Sequence, residues 1–165
     1  MDEISTVTNN QAVLNELSVK VNKSAKWFYW IAAFSAFNTL VGYFEGNVSF
    51  VVGLGITQLI DGLVYNASDT IRLAALFIEL IIACMFALFG YFAVKEEKWA
   101  FLVGMTIYLL DGLIFILVQD WLSIAFHVFV LVALFTGYKA LQKIESIKYM
   151  QDGGIALLEK QIKKS

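Results

Sequence analysis

Four ionisable side chains interrupt the apolar middle of this 165-residue sequence: Asp61, Glu79, Asp111 and His127. Carboxyl and imidazole groups can each bind a proton or coordinate a cation. Inside a membrane such groups are costly, and they usually face a transport pathway or a polar partner. If the surrounding chain spans a membrane, these residues therefore indicate a proton or cation site.

The composition is that of a membrane protein. Hydrophobic residues make up 59% of the chain, charged residues 16%, and the mean hydropathy is +0.72. A soluble domain of this size carries roughly 25% charged residues. Tryptophan and tyrosine recur near the ends of the apolar segments, where interfacial anchors are expected. We therefore expect the lipid bilayer to be the first partner of this chain.

Charge and cysteine content exclude several classes of protein. A net charge of −2 does not provide the basic face that a nucleic-acid-binding protein needs. The single cysteine, Cys84, excludes a disulfide framework, and the single histidine excludes a multi-histidine metal centre. We expect no cofactor. The polar start lacks the features of a cleaved signal peptide, so the first membrane helix is the expected targeting signal, with the cell membrane as the destination.

Polar interruptions divide the apolar region into membrane-length segments. They lie at 45–47, 66–69, 95–98 and 119–120, and they separate five stretches at 27–44, 49–65, 71–94, 99–118 and 121–141. At 1.5 Å per residue, each stretch is long enough to cross about 30 Å of hydrocarbon. The sequence thus predicts an all-α polytopic membrane protein with five transmembrane helices. The second stretch is short and rich in glycine, so a re-entrant loop is the alternative for it.

The chain on either side of this five-helix domain is polar. Residues 1–26 form a polar, amphipathic N-terminal segment, predicted to lie as a short helix at the membrane interface. Residues 142–165 form a charged, amphipathic C-terminal tail that extends the last helix until Asp152-Gly153-Gly154 ends it. The predicted organisation is therefore 1–26, 27–141 and 142–165.

Five crossings would place lysines on both sides of the membrane, so the charge bias is too small to orient the chain. Three arrangements are compatible with it. The protein is weakly oriented, or it has dual topology and pairs antiparallel, or it has four crossings, one re-entrant segment and both termini on one side. The additional lysines of the tail favour a cytoplasmic C-terminus.

Two short patterns recur along the chain. Gly-Tyr-Phe occurs at 42–44 and 90–92, and an Asp-Gly pair flanked by apolar residues occurs at 61–62 and 111–112. Asp61 follows Gly42 by 19 residues, and Asp111 follows Gly90 by 21. The order predicts an internal two-helix repeat, A-B-A-B-A. Because the unit has two crossings, its copies would be parallel and related by an axis along the membrane normal.

The four ionisable residues are predicted to share one layer. Counted from the flanking polar residues, each lies about 8 to 12 Å below the face on which the N-terminus is expected. Polar neighbours at helical spacing are expected to support them: Gln58, Tyr108, Thr57 and Asn38. The alternative is that these side chains only hold helices together, and that Gly62 and Gly112 only allow helices to approach.

Three functions are compatible with this layer. The first is a small transporter or channel in which Asp61 and Asp111 are paired proton or cation sites, tuned by Glu79 and His127. The second is an intramembrane metal-dependent enzyme with the same residues as ligands and the metal undetermined. The third is a noncatalytic membrane subunit of a larger complex. No nucleophile pair or phosphate loop favours an enzyme, and the small helix number favours a homo-oligomer or a partner membrane subunit.

Overall fold

The computed structural model describes residues 2–45 and 53–162, with the side chains of 10–44 and 53–153. Every regular element in these ranges is a helix: α1 (Asp2–Glu45), α2 (Gly55–Val64), α3 (Asp69–Val94), α4 (Lys98–Leu117) and α5 (Trp121–Ile162). The predicted all-α class is confirmed. Three stretches are long and apolar enough to cross a membrane, namely Asp69–Val94, Lys98–Leu117 and Trp121–Gly153.

The second predicted span is not confirmed. Within the described part of 49–65, helix α2 has 10 residues and is therefore about 15 Å long, half the thickness of the hydrocarbon core. It begins at Gly55, after Leu54 in extended conformation, and a turn follows Val64. Residues 46–52 lie outside the described residues.

Helices α1 and α3 are antiparallel. At one end of the pair, the Arg72 side chain donates from Nη2 to the carbonyl oxygen of Tyr43, at 3.1 Å. At the other end, the Ser18 hydroxyl donates to the Glu96 carboxylate at 2.7 Å, and Gly90 packs on the Tyr29 ring. A rotation about the membrane normal would require the two helices to be parallel. The predicted parallel repeat is therefore wrong, because α2 does not carry the chain to the other end of the bundle.

Both terminal helices lie at one end of the bundle and extend as a pair. Val21 of α1 and Leu141 and Ile144 of α5 are fully buried in the same core cluster. Ion pairs join Lys98 to Glu145 and Lys148 to Glu96, which reinforces this end. The termini are thus arranged as the four-crossing alternative requires.

Neither flanking segment is a separate unit. Helix α1 continues through 26–27 and α5 through 141–142, so neither predicted boundary coincides with a break in a helix. The predicted helix end at 152–154 is wrong, because α5 continues to Ile162. A glycine costs a helix only about 1 kcal/mol, so glycines end a helix only where the surroundings also favour a turn.

Phenylalanines fill the centre of the bundle. The fully buried Phe28 ring lies 6.1 Å from Phe89 and 6.0 Å from Phe101, centroid to centroid. Gly104 of α4 faces this ring so closely that a Cβ there would lie 2.5 Å from Cε1 of Phe28. The absence of a side chain at 104 therefore sets how closely α4 approaches α1.

This contact predicts the effect of alanine at two glycines. Gly104→Ala should lower the free energy of unfolding by about 1 to 3 kcal/mol, because the buried ring has nowhere to move. Gly62→Ala should be neutral or raise stability by up to about 1 kcal/mol, because no described residue outside its own helical backbone lies within 4 Å of its Cβ position and alanine favours helix. Denaturant titration of both variants in detergent tests this, and equal stabilities would contradict it.

Candidate functional site

The four ionisable side chains lie near one end of the bundle, where α1 ends and α3 and α5 begin. Glu79, Asp111 and His127 have exposed fractions of 1%, 6% and 2%, and Asp61 is half-buried beside a cavity. They point inward, as predicted. This end is opposite the N-terminus, however, so their predicted position near the N-terminal face is wrong. The error follows from counting α2 as a full crossing.

The four residues form two pairs instead of one cluster. Asp111 Oδ2 lies 3.0 Å from His127 Nε2. Asp61 and Glu79 line a common cavity and interact electrostatically. Among the described residues, no group of three or more histidine, cysteine or acidic side chains is arranged to hold a metal ion. The four-ligand set of the metal-enzyme hypothesis is therefore not assembled.

The Asp111 carboxylate caps the N-terminal end of α2. Its Oδ2 accepts a hydrogen bond from the Gly55 N–H at 2.8 Å, and its Oδ1 accepts one from the Ile56 N–H at 2.9 Å. The first amides of a helix have no partner within the helix, and the helix dipole favours a negative charge beside them. Leu54, at the N-cap position, has no side-chain oxygen to supply this cap. A carboxylate from α4 therefore takes over its role.

Two further hydroxyls complete the start of α2. The Ser35 hydroxyl of α1 accepts a hydrogen bond from the Leu54 N–H at 3.1 Å. The Thr57 hydroxyl donates to the Leu54 carbonyl at 2.8 Å, so this predicted supporting residue stabilises its own helix. Gly55 is required here because a Cβ would lie 3.1 Å from the Asp111 carbonyl oxygen.

The contact between Asp111 and His127 contains one proton. Nδ1 of His127 lies 2.9 Å from the carbonyl oxygen of Ser123, an acceptor only, so Nδ1 carries a hydrogen. Nε2 faces a carboxyl oxygen, and a hydrogen bond between two such atoms needs one further proton. The pair is either imidazolium with carboxylate or neutral imidazole with carboxylic acid. Both forms have the same total charge.

Aromatic rings hold the His127 imidazole in place. Tyr108 stacks on it with ring centroids 4.3 Å apart and planes 13° apart, and Phe115 lies at 5.0 Å. The predicted polar support from Tyr108 is therefore a ring contact. Gly112 also touches the ring, since a Cβ there would lie 3.1 Å from Cδ2 of His127. The two Asp-Gly glycines thus differ, because nothing lies near the Cβ position of Gly62.

A cavity of about 390 Å³ lies between α1, α2 and α3. Glu79 and Thr39 line its deep part, and neither the two Glu79 carboxyl oxygens nor the Thr39 hydroxyl oxygen has a hydrogen-bond partner among the described residues. Asp61 also lines it, packed so closely on Gly42 that a Cβ there would lie 3.1 Å from Oδ2. The predicted supporting residues Gln58 and Asn38 line the same cavity.

The mouth of the cavity contains the only arginine of the sequence. Arg72 Nη2 is bonded to the Tyr43 carbonyl, its guanidinium lies 5.6 Å from the Tyr43 ring centroid, and it interacts electrostatically with Asp61. Arg72 and Thr39 were not predicted as site residues. Both had a signal: Arg72 lies two helical turns before Glu79, and Thr39 continues the face formed by Ser35, Asn38 and Gly42.

Asp120, outside the apolar spans, makes an ordinary local cap. Its carboxylate accepts hydrogen bonds from the Ser123 hydroxyl at 2.6 Å and from the Ser123 N–H at 3.2 Å. These bonds lower the pKa of Asp120 from its ordinary value, the hydroxyl having the larger effect. The cap therefore stabilises the fold above about pH 4 and is lost as the pH falls through the lowered pKa.

Comparisons with protein-family models, curated proteins and solved structures find no match to this chain. The fold and the site define its class directly. It is an all-helical protein with three membrane-length apolar helices, a buried carboxyl–imidazole pair and an acidic cavity at one end.

The cap on α2 predicts that Asp111→Asn destabilises the protein by about 1 to 3 kcal/mol. Gly55 and Ile56 donate to different carboxylate oxygens, and in Asn one of these two acceptors is replaced by an NH2 donor, which cannot accept from a backbone N–H. Asp120→Asn is the matched control and should cost about 1 kcal/mol or less, since its cap is local and partly solvated. Unfolding in detergent, followed by circular dichroism, measures both. A smaller loss at 111 than at 120 would contradict the assigned role of Asp111.

Proposed function

We propose that this protein is a small integral membrane transporter that binds a proton or a monovalent cation in the cavity lined by Asp61 and Glu79. The observation that carries the proposal is Glu79, which is 1% exposed and whose two carboxyl oxygens have no hydrogen-bond partner in the described part of the chain. A carboxyl buried only to hold helices together would be hydrogen-bonded across the interface, since an unsatisfied buried polar group costs about 1 to 3 kcal/mol. A binding role accounts for that cost.

The membrane arrangement we infer has four crossings, with residues 27–44 of α1 as the first and α2 as a half-membrane element. Its support is the antiparallel packing of α1 with α3 and the location of both terminal helices at one end. Five crossings and a parallel repeat do not account for these contacts.

Five crossings would place lysines on both sides of the membrane, whereas the four-crossing arrangement places them on one side. Arg72 lies at the cavity end. All eight lysines between residues 10 and 153 lie toward the end with the terminal helices: Lys20, Lys23, Lys26, Lys95, Lys98, Lys139, Lys143 and Lys148. Lysine and arginine are enriched in cytoplasmic segments. We therefore place the termini in the cytoplasm and the cavity mouth on the outer face of the cell membrane.

Helix α2 connects the two carboxyl pairs and is the element we propose to move. Its N-terminal end is held by Asp111, which shares a proton with His127, and Asp61 in its second turn lines the cavity. Movement of Asp111 away from the Gly55 and Ile56 N–H groups would free the start of α2 and shift the short helix, and thus Asp61. In this proposal Asp111 and His127 control the position of α2, and Asp61 and Glu79 bind the transported cation.

A noncatalytic membrane subunit is the second candidate. An apolar groove of about 420 Å³ runs between α4 and α5, lined among others by Leu102, Leu109, Val132 and Phe135. Such a surface suits a second copy of the chain or the helix of another membrane protein. This function would require no titratable group in the cavity, so it differs from the transporter in its response to changes at Glu79.

Cysteine labelling tests the crossings. In a Cys84→Ala background, Lys20→Cys and Lys143→Cys should react with a membrane-impermeant maleimide from the same side of the membrane. Ser68→Cys should react only from the other side, because it lies in the turn at the cavity end. Labelling of positions 20 and 143 from opposite sides would restore the five-crossing arrangement.

Proton flux tests the transporter. In liposomes with an internal pH dye and a valinomycin-imposed potential, Glu79→Gln should slow flux at least tenfold, and Asp61→Asn should also slow it. Gln keeps the shape of the carboxyl but cannot titrate. Asp69→Asn is the matched control, because Asp69 is exposed at the same end and does not line the cavity. Native flux in Glu79→Gln would exclude the proposed site, and absence of flux from the native protein would favour the subunit function.

A further inference from the structure

The deep part of the cavity presents three buried acceptor oxygens that lack donors among the residues that the structure describes. Two belong to the Glu79 carboxyl and the third to the Thr39 hydroxyl, and each residue is 1% exposed. Both side chains line the cavity, and the Thr39 hydroxyl lies close to the Glu79 carboxyl. A ligand that satisfies this set must bring several N–H or O–H donors to one point.

The charges around the cavity favour a ligand with a single positive charge. The titratable or charged residues that line it are Glu79, Asp61, Arg72, Tyr43 and Tyr65. Arg72 interacts electrostatically with Asp61 and is bonded at the mouth to the Tyr43 carbonyl. Within 10–44 and 53–153, this leaves the Glu79 carboxyl as the cavity acid without a cationic partner.

The size and walls of the cavity indicate an organic ligand. A volume of about 390 Å³ is far larger than a bare ion requires and falls within the 300–1,000 Å³ typical of small-molecule sites. Tyr43 and Tyr65 line the part nearest the turn at the end of the bundle. Aromatic faces attract cations and also pack against apolar groups.

We propose that this cavity binds a primary ammonium compound, whose three N–H donors bond the two Glu79 carboxyl oxygens and the Thr39 hydroxyl oxygen, in exchange for the proton on Glu79. The proposal rests on the proposed function and names the ligand of that same site. A primary ammonium group has three donors, which match the three unpartnered oxygens in number. A quaternary ammonium group has the same charge and no donor.

The exchange balances as a single proton transfer. Without a ligand, a buried carboxyl with no partner favours its neutral form, because an unpaired buried charge is costly. When R–NH₃⁺ binds, Glu79 releases its proton to solvent and the resulting carboxylate pairs with the ammonium. One positive charge enters the site and one leaves it. A membrane protein with such a site would couple inward movement of protons to outward movement of an amine, or the reverse.

Calorimetry on the detergent-solubilised full chain tests the proposal with phenethylammonium as the probe. Binding measured at pH 6 in phosphate and in bis-Tris, two buffers that differ in ionisation enthalpy, should show about one proton released per ligand. The affinity should rise as the pH is raised from 5 to 7, because proton release is favoured at higher pH. Phenethyltrimethylammonium and neutral phenethyl alcohol should each bind at least tenfold more weakly.

Variants assign the effect to the three oxygens. Glu79→Gln should abolish both binding and proton release. Thr39→Val should weaken binding roughly fivefold, the effect of one hydrogen bond, and leave proton release intact. Asp69→Asn should bind as the native protein does. If Glu79→Gln is not folded, Thr39→Val and the quaternary probe still test the donor match.

The outcomes separate this proposal from the transporter proposal. Glu79-dependent proton flux without phenethylammonium binding would overturn the ligand assignment and leave the transporter standing. Binding with proton release but without flux would support the ligand assignment and overturn transport. Equal binding of the primary and quaternary probes, or binding without proton release, would overturn the ligand assignment.

Discussion

The rest of the site depends on the hydrogen bonds from the start of α2 to the Asp111 carboxylate. Helix α2 has 10 residues and begins inside the bundle, where its first residue, Gly55, is buried. Asp111 satisfies two of them and is itself held by His127, which Tyr108 and Phe115 keep in place. A helix that begins in the interior of a bundle requires such a partner, because unsatisfied amides are costly in a low-dielectric interior.

The two acid pairs differ in how completely they are satisfied. Asp111 accepts from two amides and shares a proton with His127, so its charge is compensated on every side. Glu79 is buried just as deeply and has no hydrogen bond among the described residues. Stability accounts for the first arrangement. It does not account for the second, which is why Glu79 and not Asp111 is the centre of the proposed binding site.

The short length of α2 also determines the polarity of the whole molecule. Because α2 returns the chain to the end of the bundle at which α1 ends, α3 runs antiparallel to α1. Helices α1 and α5 then pair along their extended halves. The lysines then collect at one end and the acidic cavity opens at the other. The charge distribution, the cavity and the packing of the terminal helices are therefore three results of the short length of α2.

Composition and spacing were sufficient to predict the helical class and the apolar segments found as α3, α4 and α5. They also predicted that four side chains face inward, because the cost of exposing charge to lipid depends on residue type alone: Asp61, Glu79, Asp111 and His127. The division into pairs could not be predicted. Whether 49–65 crosses depends on Asp111, 56 residues after Gly55, capping a helix start that carries no local signal. Periodicity in the sequence reflects local propensity, whereas a cap supplied from another helix exists only once the chain is folded. This tertiary contact decided the direction of α3 and the location of the cavity.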